Sequence, residues 1–170
     1  MSFFSHLFHS TPDEEDVDLV LYAPMNGTLL PLSEVPDVVI SERVVGDGVA
    51  LIPESDTILA PCDGVINRLL ATHNAFSIKA ANGLEIYLTF GIDTIDFQGE
   101  GFSARVQVGQ QVHRGDPIIQ VDMSVLSSKI KSTVTSMIVV RSSGQIDKVT
   151  AGSGKAAAGV TPCAWVTLKS

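Results

Sequence analysis

The stretch Phe76-Ser77-Ile78-Lys79-Ala80-Ala81-Asn82-Gly83-Leu84-Glu85-Ile86-Tyr87-Leu88-Thr89-Phe90 places an Asn-Gly pair between two apolar runs. Such a pair is a strong hairpin signal, because both residues tolerate the positive φ of a tight type I′ turn. A two-residue turn predicts Ala81 opposite Leu84, Ile78 opposite Tyr87 and Phe76 opposite Thr89. Directly opposed residues share a sheet face. One face then carries Asn74, Phe76, Ile78, Tyr87 and Thr89. The other carries His73, Ala75, Ser77, Ile86, Leu88 and Phe90, with Ile86, Leu88 and Phe90 turned to the core.

Outward from this hairpin the chain reads as all-β from Leu19 onward. Short Val- and Ile-rich runs alternate with Gly, Pro, Asn and Asp. The predicted strands are Asp18–Tyr22, Val38–Ile40, Val49–Ile52, Phe76–Ala80, Leu84–Phe90, Pro117–Val121, Met137–Val140 and Ala164–Leu168. Strands this short and closely spaced predict a flattened β-sandwich or barrel. The one helix expected in the body is Ser124–Lys131.

Two turn motifs echo each other. Ala23-Pro24-Met25-Asn26-Gly27 returns as Ala60-Pro61-Cys62-Asp63-Gly64, and Val45-Gly46-Asp47-Gly48-Val49 resembles Val112-His113-Arg114-Gly115-Asp116-Pro117-Ile118. Each glycine is expected to serve a turn of positive φ. The echo hints at two intertwined halves built from similar hairpins; chance likeness between turn motifs is the competing explanation.

Met1–Asp18 reads as a flexible tail ahead of a single domain at residues 19–170. Phe3, Phe4, Leu7 and Phe8 fall on one side of a short, amphipathic helical stretch, followed by the acidic Thr11–Asp18. One or two turns are marginal alone in water. With no Lys or Arg among these residues, at most a weak contact with a membrane surface is expected.

The chain holds 11 basic and 19 acidic residues, a net charge of −8. That balance argues against nucleic acid, whose phosphates call for basic patches. No apolar run approaches the roughly 20 residues that span a bilayer, and no secretory leader is read at the N-terminus. The two cysteines, Cys62 and Cys163, form neither a zinc pattern nor a disulfide framework and are expected as inert thiols of a reducing, cytoplasmic setting.

A set of linked blocks carries a resemblance. Val35-Pro36-Asp37-Val38-Val39, Val45-Gly46-Asp47-Gly48, Ala60-Pro61-Cys62-Asp63-Gly64, Ala75-Phe76-Ser77-Ile78, Phe90-Gly91-Ile92-Asp93-Thr94, Gly99-Glu100-Gly101-Phe102 and Lys131-Ser132-Thr133 resemble, in order and spacing, the glucose-type EIIA domain of the bacterial phosphoenolpyruvate sugar phosphotransferase system. The likeness runs over about residues 19–170. It implies a β-sandwich made of a duplicated hybrid motif. It also implies a phosphocarrier role, in which one histidine takes phosphate from HPr and passes it to a cysteine of EIIB.

The same resemblance locates a difference. The acceptor histidine of the family precedes the Phe-Gly-Ile-Asp block, where this chain has Thr89. The second histidine precedes Ala-Phe-Ser, where this chain has Asn74. Family Thr-Asn-His becomes Thr72-His73-Asn74, with the Thr72 position retained. A neutral imidazole is a good nucleophile near pH 7. A threonine hydroxyl without an adjacent base is a poor one, and its phosphate ester is a poor donor to a thiol. The zinc site that family members form between the two histidines and a partner carboxylate is therefore not expected, nor is any other metal or cofactor.

The implied function is an EIIA homologue that binds partners without relaying phosphate. The alternative is an active carrier with a site rearranged around His73. What the resemblance retains is a docking face: Val39, Ile40, Val44, Val45, Leu70, Phe76, Tyr87 and Ile95 at the apolar rim, with Asp37 and Asp93 at the acidic positions. The implied partners are HPr, EIIB, or regulated transporters and enzymes. Other carriers and enzymes of related fold fit poorly, since the chain has no His-x-His and no lysine in the Val112–Ile118 hairpin.

Overall fold

The computed structural model describes residues 17–92, 100–126 and 130–170. Fourteen strands follow one another among these residues: β1 (Leu19–Tyr22), β2 (Gly27–Leu30), β3 (Gly46–Pro53), β4 (Thr57–Leu59), β5 (Gly64–Leu69), β6 (Ala75–Lys79), β7 (Glu85–Ile92), β8 (Phe102–Ala104), β9 (Gln111–Val112), β10 (Pro117–Val121), β11 (Ser132–Val140), β12 (Ile146–Ala151), β13 (Gly154–Ala156) and β14 (Pro162–Leu168). Two one-turn helices interrupt them, α1 (Val38–Ser41) and α2 (Met123–Leu126). An eight-stranded sheet runs β13-β2-β3-β11-β7-β6-β5-β9, and two three-stranded sheets run β1-β14-β12 and β4-β10-β8. All the pairings are antiparallel. The architecture is a β-sandwich.

The central hairpin forms with a register one residue away from the expected one. Ala75 lies opposite Thr89, Phe76 opposite Leu88, Ser77 opposite Tyr87 and Ile78 opposite Ile86. The loop holds three residues, Ala81-Asn82-Gly83. Ala80 N donates to Leu84 O at 2.8 Å, Gly83 N to Ala80 O at 2.9 Å, and Gly83 alone takes positive φ, at 89°. This is the three-residue alternative for Asn-Gly, a turn closed by a glycine bulge. The shift flips one strand against the expectation. Phe76 and Ile78 enter the core, wholly buried, beside Ile86, Leu88 and Phe90. Ala75 and Ser77 join Tyr87 and Thr89 on the opposite face.

The main core fills the space between the large sheet and the two small ones, gathering Leu21, Met25, Ile58, Ile66, Phe76, Phe90, Ile119, Met137 and Val166. Phe90 meets Phe102 edge-on, ring centroids 5.7 Å apart. A second, smaller cluster lies on the outer face of the large sheet, where Leu32 and Val35 cover Ala50, Ile92 and Ile138.

Two further expectations change. Val38–Ile40 is helical rather than extended. The Asp37 carboxylate Oδ1 accepts from Val39 N at 2.9 Å and Ile40 N at 3.2 Å, and this local cap outweighs the extended preference of Val-Val-Ile. The expected helix at Ser124–Lys131 is seen as α2, starting one residue earlier. Asp122 supplies the bonds to Ser124, and residues 127–129 lie outside the described residues.

The first echo corresponds to a repeated connection. Asn26 Oδ1 accepts from Ala158 N and Asp63 Oδ1 from Arg114 N, each at 2.7 Å. Ala23 O accepts from Gly159 N at 2.8 Å and Ala60 O from Gly115 N at 2.9 Å. The two elbows thus clasp two C-terminal turns in the same manner. The second echo has no such counterpart, for Gly46 and Gly48 lie inside β3 rather than in a turn. They are required by close approach: a Cβ on either would sit 1.9 Å from a carbonyl oxygen of β11.

Candidate functional site

The outer face of the large sheet builds a depression of about 500 Å³. Beneath it, neighbouring strands lie in register. Ala75 of β6, Thr89 of β7, Ser136 of β11 and Ala50 of β3 form one row of small residues. Ser77, Tyr87 and Ile138 form the next. Thr89, Tyr87 and Ile138 line the depression, with Val39, Ile40 and Val45 on one wall and Arg68 and Glu85 on the other.

The charged groups around it are mostly committed. The Asp37 carboxylate caps α1. Glu85 Oε2 accepts from Asn67 Nδ2 at 3.3 Å and lies 3.4 Å from Arg68 Nε. Burial pushes the Tyr87 phenol above its ordinary range, against the opposing pull of the Thr89 hydroxyl and the Arg68 guanidinium. Ser77 and Ser136 are fully buried, and neither hydroxyl has a hydrogen-bond partner among the described residues.

Above the depression stands an apolar lip. Val38 is 72% exposed, Val44 62%, Val39 48% and Val45 42%. Ile40 is half-buried against the smaller cluster. Leu70 is exposed at the far side, near the turn Leu70–His73. Phe76 does not belong to the rim; the register shift buries it under the sheet. Asp93 and Ile95 lie outside the described residues. Four exposed valines on one short segment are unusual for a surface with nothing to cover it.

The remaining site positions are Thr72, His73 and Asn74. Thr72 Oγ1 donates to Asn74 Oδ1 at 2.6 Å, and Asn74 is buried at the end of β6. His73 closes the turn, its N–H on Leu70 O at 2.8 Å, in a left-handed conformation with φ 60°. It is half-buried and is not among the residues lining the depression. Asn74 and Thr89 offer an amide and an alcohol in place of two imidazole nitrogens, so this donor set does not fit zinc. Cys62 and Cys163 are unpaired and buried, which pushes both thiols up to about 12. Sequence reasoning missed Arg68 and Glu85, whose numbering places them on separate strands and whose pairing depends on the true register.

Fold and face together define a class: an antiparallel β-sandwich with a shallow, apolar-lipped depression on one sheet, into which Tyr87, Thr89 and Ile138 face. The phosphoenolpyruvate-dependent sugar phosphotransferase system EIIA 1 family profile matches residues 19–145. The chain is 42% identical over 159 residues to the PTS system glucose-specific EIIA component of Haemophilus influenzae, covering 94% of this chain and 95% of that one. It is 38% identical over 161 residues to the component of the same name from Buchnera aphidicola subsp. Acyrthosiphon pisum, covering 95% and 96%. Among solved structures it is similar to the glucose permease IIA from Mycoplasma capricolum, with a TM-score of 0.78, 32% identity, and coverage of 86% of this chain and 94% of that one. The chain belongs to the glucose-type EIIA family of the sugar phosphotransferase system.

Proposed function

We propose that this EIIA homologue docks the partners of its family but does not carry phosphate. One observation carries the reading: the side chain on the floor of the depression, at the family's acceptor position, is the Thr89 hydroxyl. Its in-register neighbours are Ala75 and Ser136, neither of which is a base. The two carboxylates lining the depression are engaged, Asp37 as a helix cap and Glu85 with Arg68 and Asn67. An alcohol without a free base nearby is a weak nucleophile, whereas positioning alone leaves the rest of a phosphoryl-transfer site in place.

The lip supports the docking half of the reading. Val38, Val39, Val44 and Val45 leave apolar surface in water that association with a partner would remove. HPr and EIIB are the partners the family implies, and a cytoplasmic location suits them; no helix among the described residues is long and apolar enough to cross a membrane. A docked chain without a phosphate-bearing state acts as a regulator fixed in one form. The likeness between the two elbows supports descent of the fold from a duplicated motif.

The test is incubation with phosphoenolpyruvate, Enzyme I and HPr. No acid-labile label on this chain is expected, together with saturable HPr binding by calorimetry. Stoichiometric label on a histidine refutes the reading, and loss of that label in His73→Ala would assign the relay to His73.

A further inference from the structure

The lip is held from the segment directly after β11, the strand that also brings Ile138 to the depression. Between α1 and β3 the chain turns through Arg43, a non-glycine residue with φ 56°. Arg141, directly after β11, grips this turn twice. Its backbone N–H donates to Val45 O at 2.9 Å, and its Nη2 donates to Arg43 O at 2.8 Å. The Arg43 side chain is drawn aside to Asp47 Oδ1, at 3.0 Å, which also accepts from Gly48 N. Within the lip, Val44 N donates to Val39 O at 3.1 Å, tying the exposed valines to one another.

Valine has few side-chain rotamers to lose, so a lip of valines is ordered cheaply on binding once its backbone is fixed. Fixing that backbone is the remaining cost. The left-handed residue in the turn marks where the segment would relax if released.

We propose that Arg141 is a positioning residue: its guanidinium holds the Val38–Val45 lip in a docking-ready arrangement and so sets the affinity for HPr. This rests on the docking reading above. Arg141 acts through the carbonyl of Arg43. Replacing its side chain removes one of the two bonds and leaves the backbone bond to Val45 in place.

Arg141→Ala and Arg141→Lys test this in the full chain. For Arg141→Ala, exchange of the Val44 amide is expected to accelerate about tenfold while β7 amides stay protected, as for a local opening. HPr affinity is expected to fall about fivefold, mainly through faster dissociation. Arg141→Lys is expected to recover part of both, since an ammonium can still reach a single carbonyl. In a Val44→Ala, Val45→Ala background the effect of Arg141→Ala on affinity is expected to vanish, because coupled residues do not add.

Unchanged Val44 exchange in Arg141→Ala overturns the proposal. So does faster exchange with unaltered HPr affinity, or an affinity loss that persists in the lip-truncated background. If the unsubstituted chain binds no HPr, the docking reading fails instead. The exchange measurement then still decides whether Arg141 holds the lip.

Discussion

On the function proposed above, activity turns on Thr89 and Asn74. If only the nucleophile and its partner are missing, restoring both is sufficient for acceptance of phosphate. The double variant Thr89→His, Asn74→His is expected to take acid-labile label from phosphorylated HPr, whereas Asn74→His alone is not; radiolabel transfer distinguishes them. Thr89 has Ala75 and Ser136 as its lateral neighbours, so a larger ring enters without displacing a bulky side chain. Phe76 gives a second test at this scale. As a core residue, Phe76→Ala is expected to cost about 3–5 kcal/mol in denaturant unfolding. A rim residue would instead lose partner affinity at unchanged stability. Which residue types stand at 89 and 74 is read from the sequence alone, and the proposal above is built on them. The side to which Phe76 points was not legible there, because it depends on a single step of register.

At the scale of elements, the hairpin was legible and its turn was not. Asn-Gly suits both the two-residue turn and the three-residue turn closed by a bulge. Nothing in the flanking alternation separates them, since Ala80 and Ala81 are equally small. The observed loop makes Gly83 the one residue that needs positive φ, with nothing within 4 Å of the space a Cβ would fill. Gly83→Ala is therefore expected to cost about 1 kcal/mol through backbone strain alone, measured as a shift in the urea midpoint with an unchanged slope. A two-residue type I′ turn would have placed Asn82 under the same demand. Val38–Ile40 was misread for a related reason. Three β-branched residues favour a strand, yet a cap from Asp37 costs the chain only one side-chain orientation and satisfies two amides at once.

Across the whole molecule, the all-β class and the sandwich were legible, since strand spacing and turn residues report them directly. The depression was not, because it is assembled from α1, β5, β7 and β11, which are distant in sequence. The buried thiols give a prediction at this scale. Cys62 and Cys163 stand at about 12 in the folded chain against an ordinary 9.0, chiefly through burial. Below pH 9 both states hold the thiol protons and nothing changes. Between about 9 and 12 only the unfolded chain releases them, so stability falls as pH rises through that window. Unfolding midpoints at pH 8 and pH 10 are expected to differ more for the native sequence than for Cys62→Ala, Cys163→Ala. Tyr87, also raised, adds to the common slope of both.

The paired elbows carry a consequence for synthesis on the ribosome. Asp63 finds its amide 51 positions downstream, but Asn26 must wait for Ala158, 132 positions later. A nascent chain that has emerged only to residue 150 can lock the second clasp while the first stays open. Strand β1 then also lacks its neighbour β14, so its edge stays unpaired until Pro162–Leu168 has emerged.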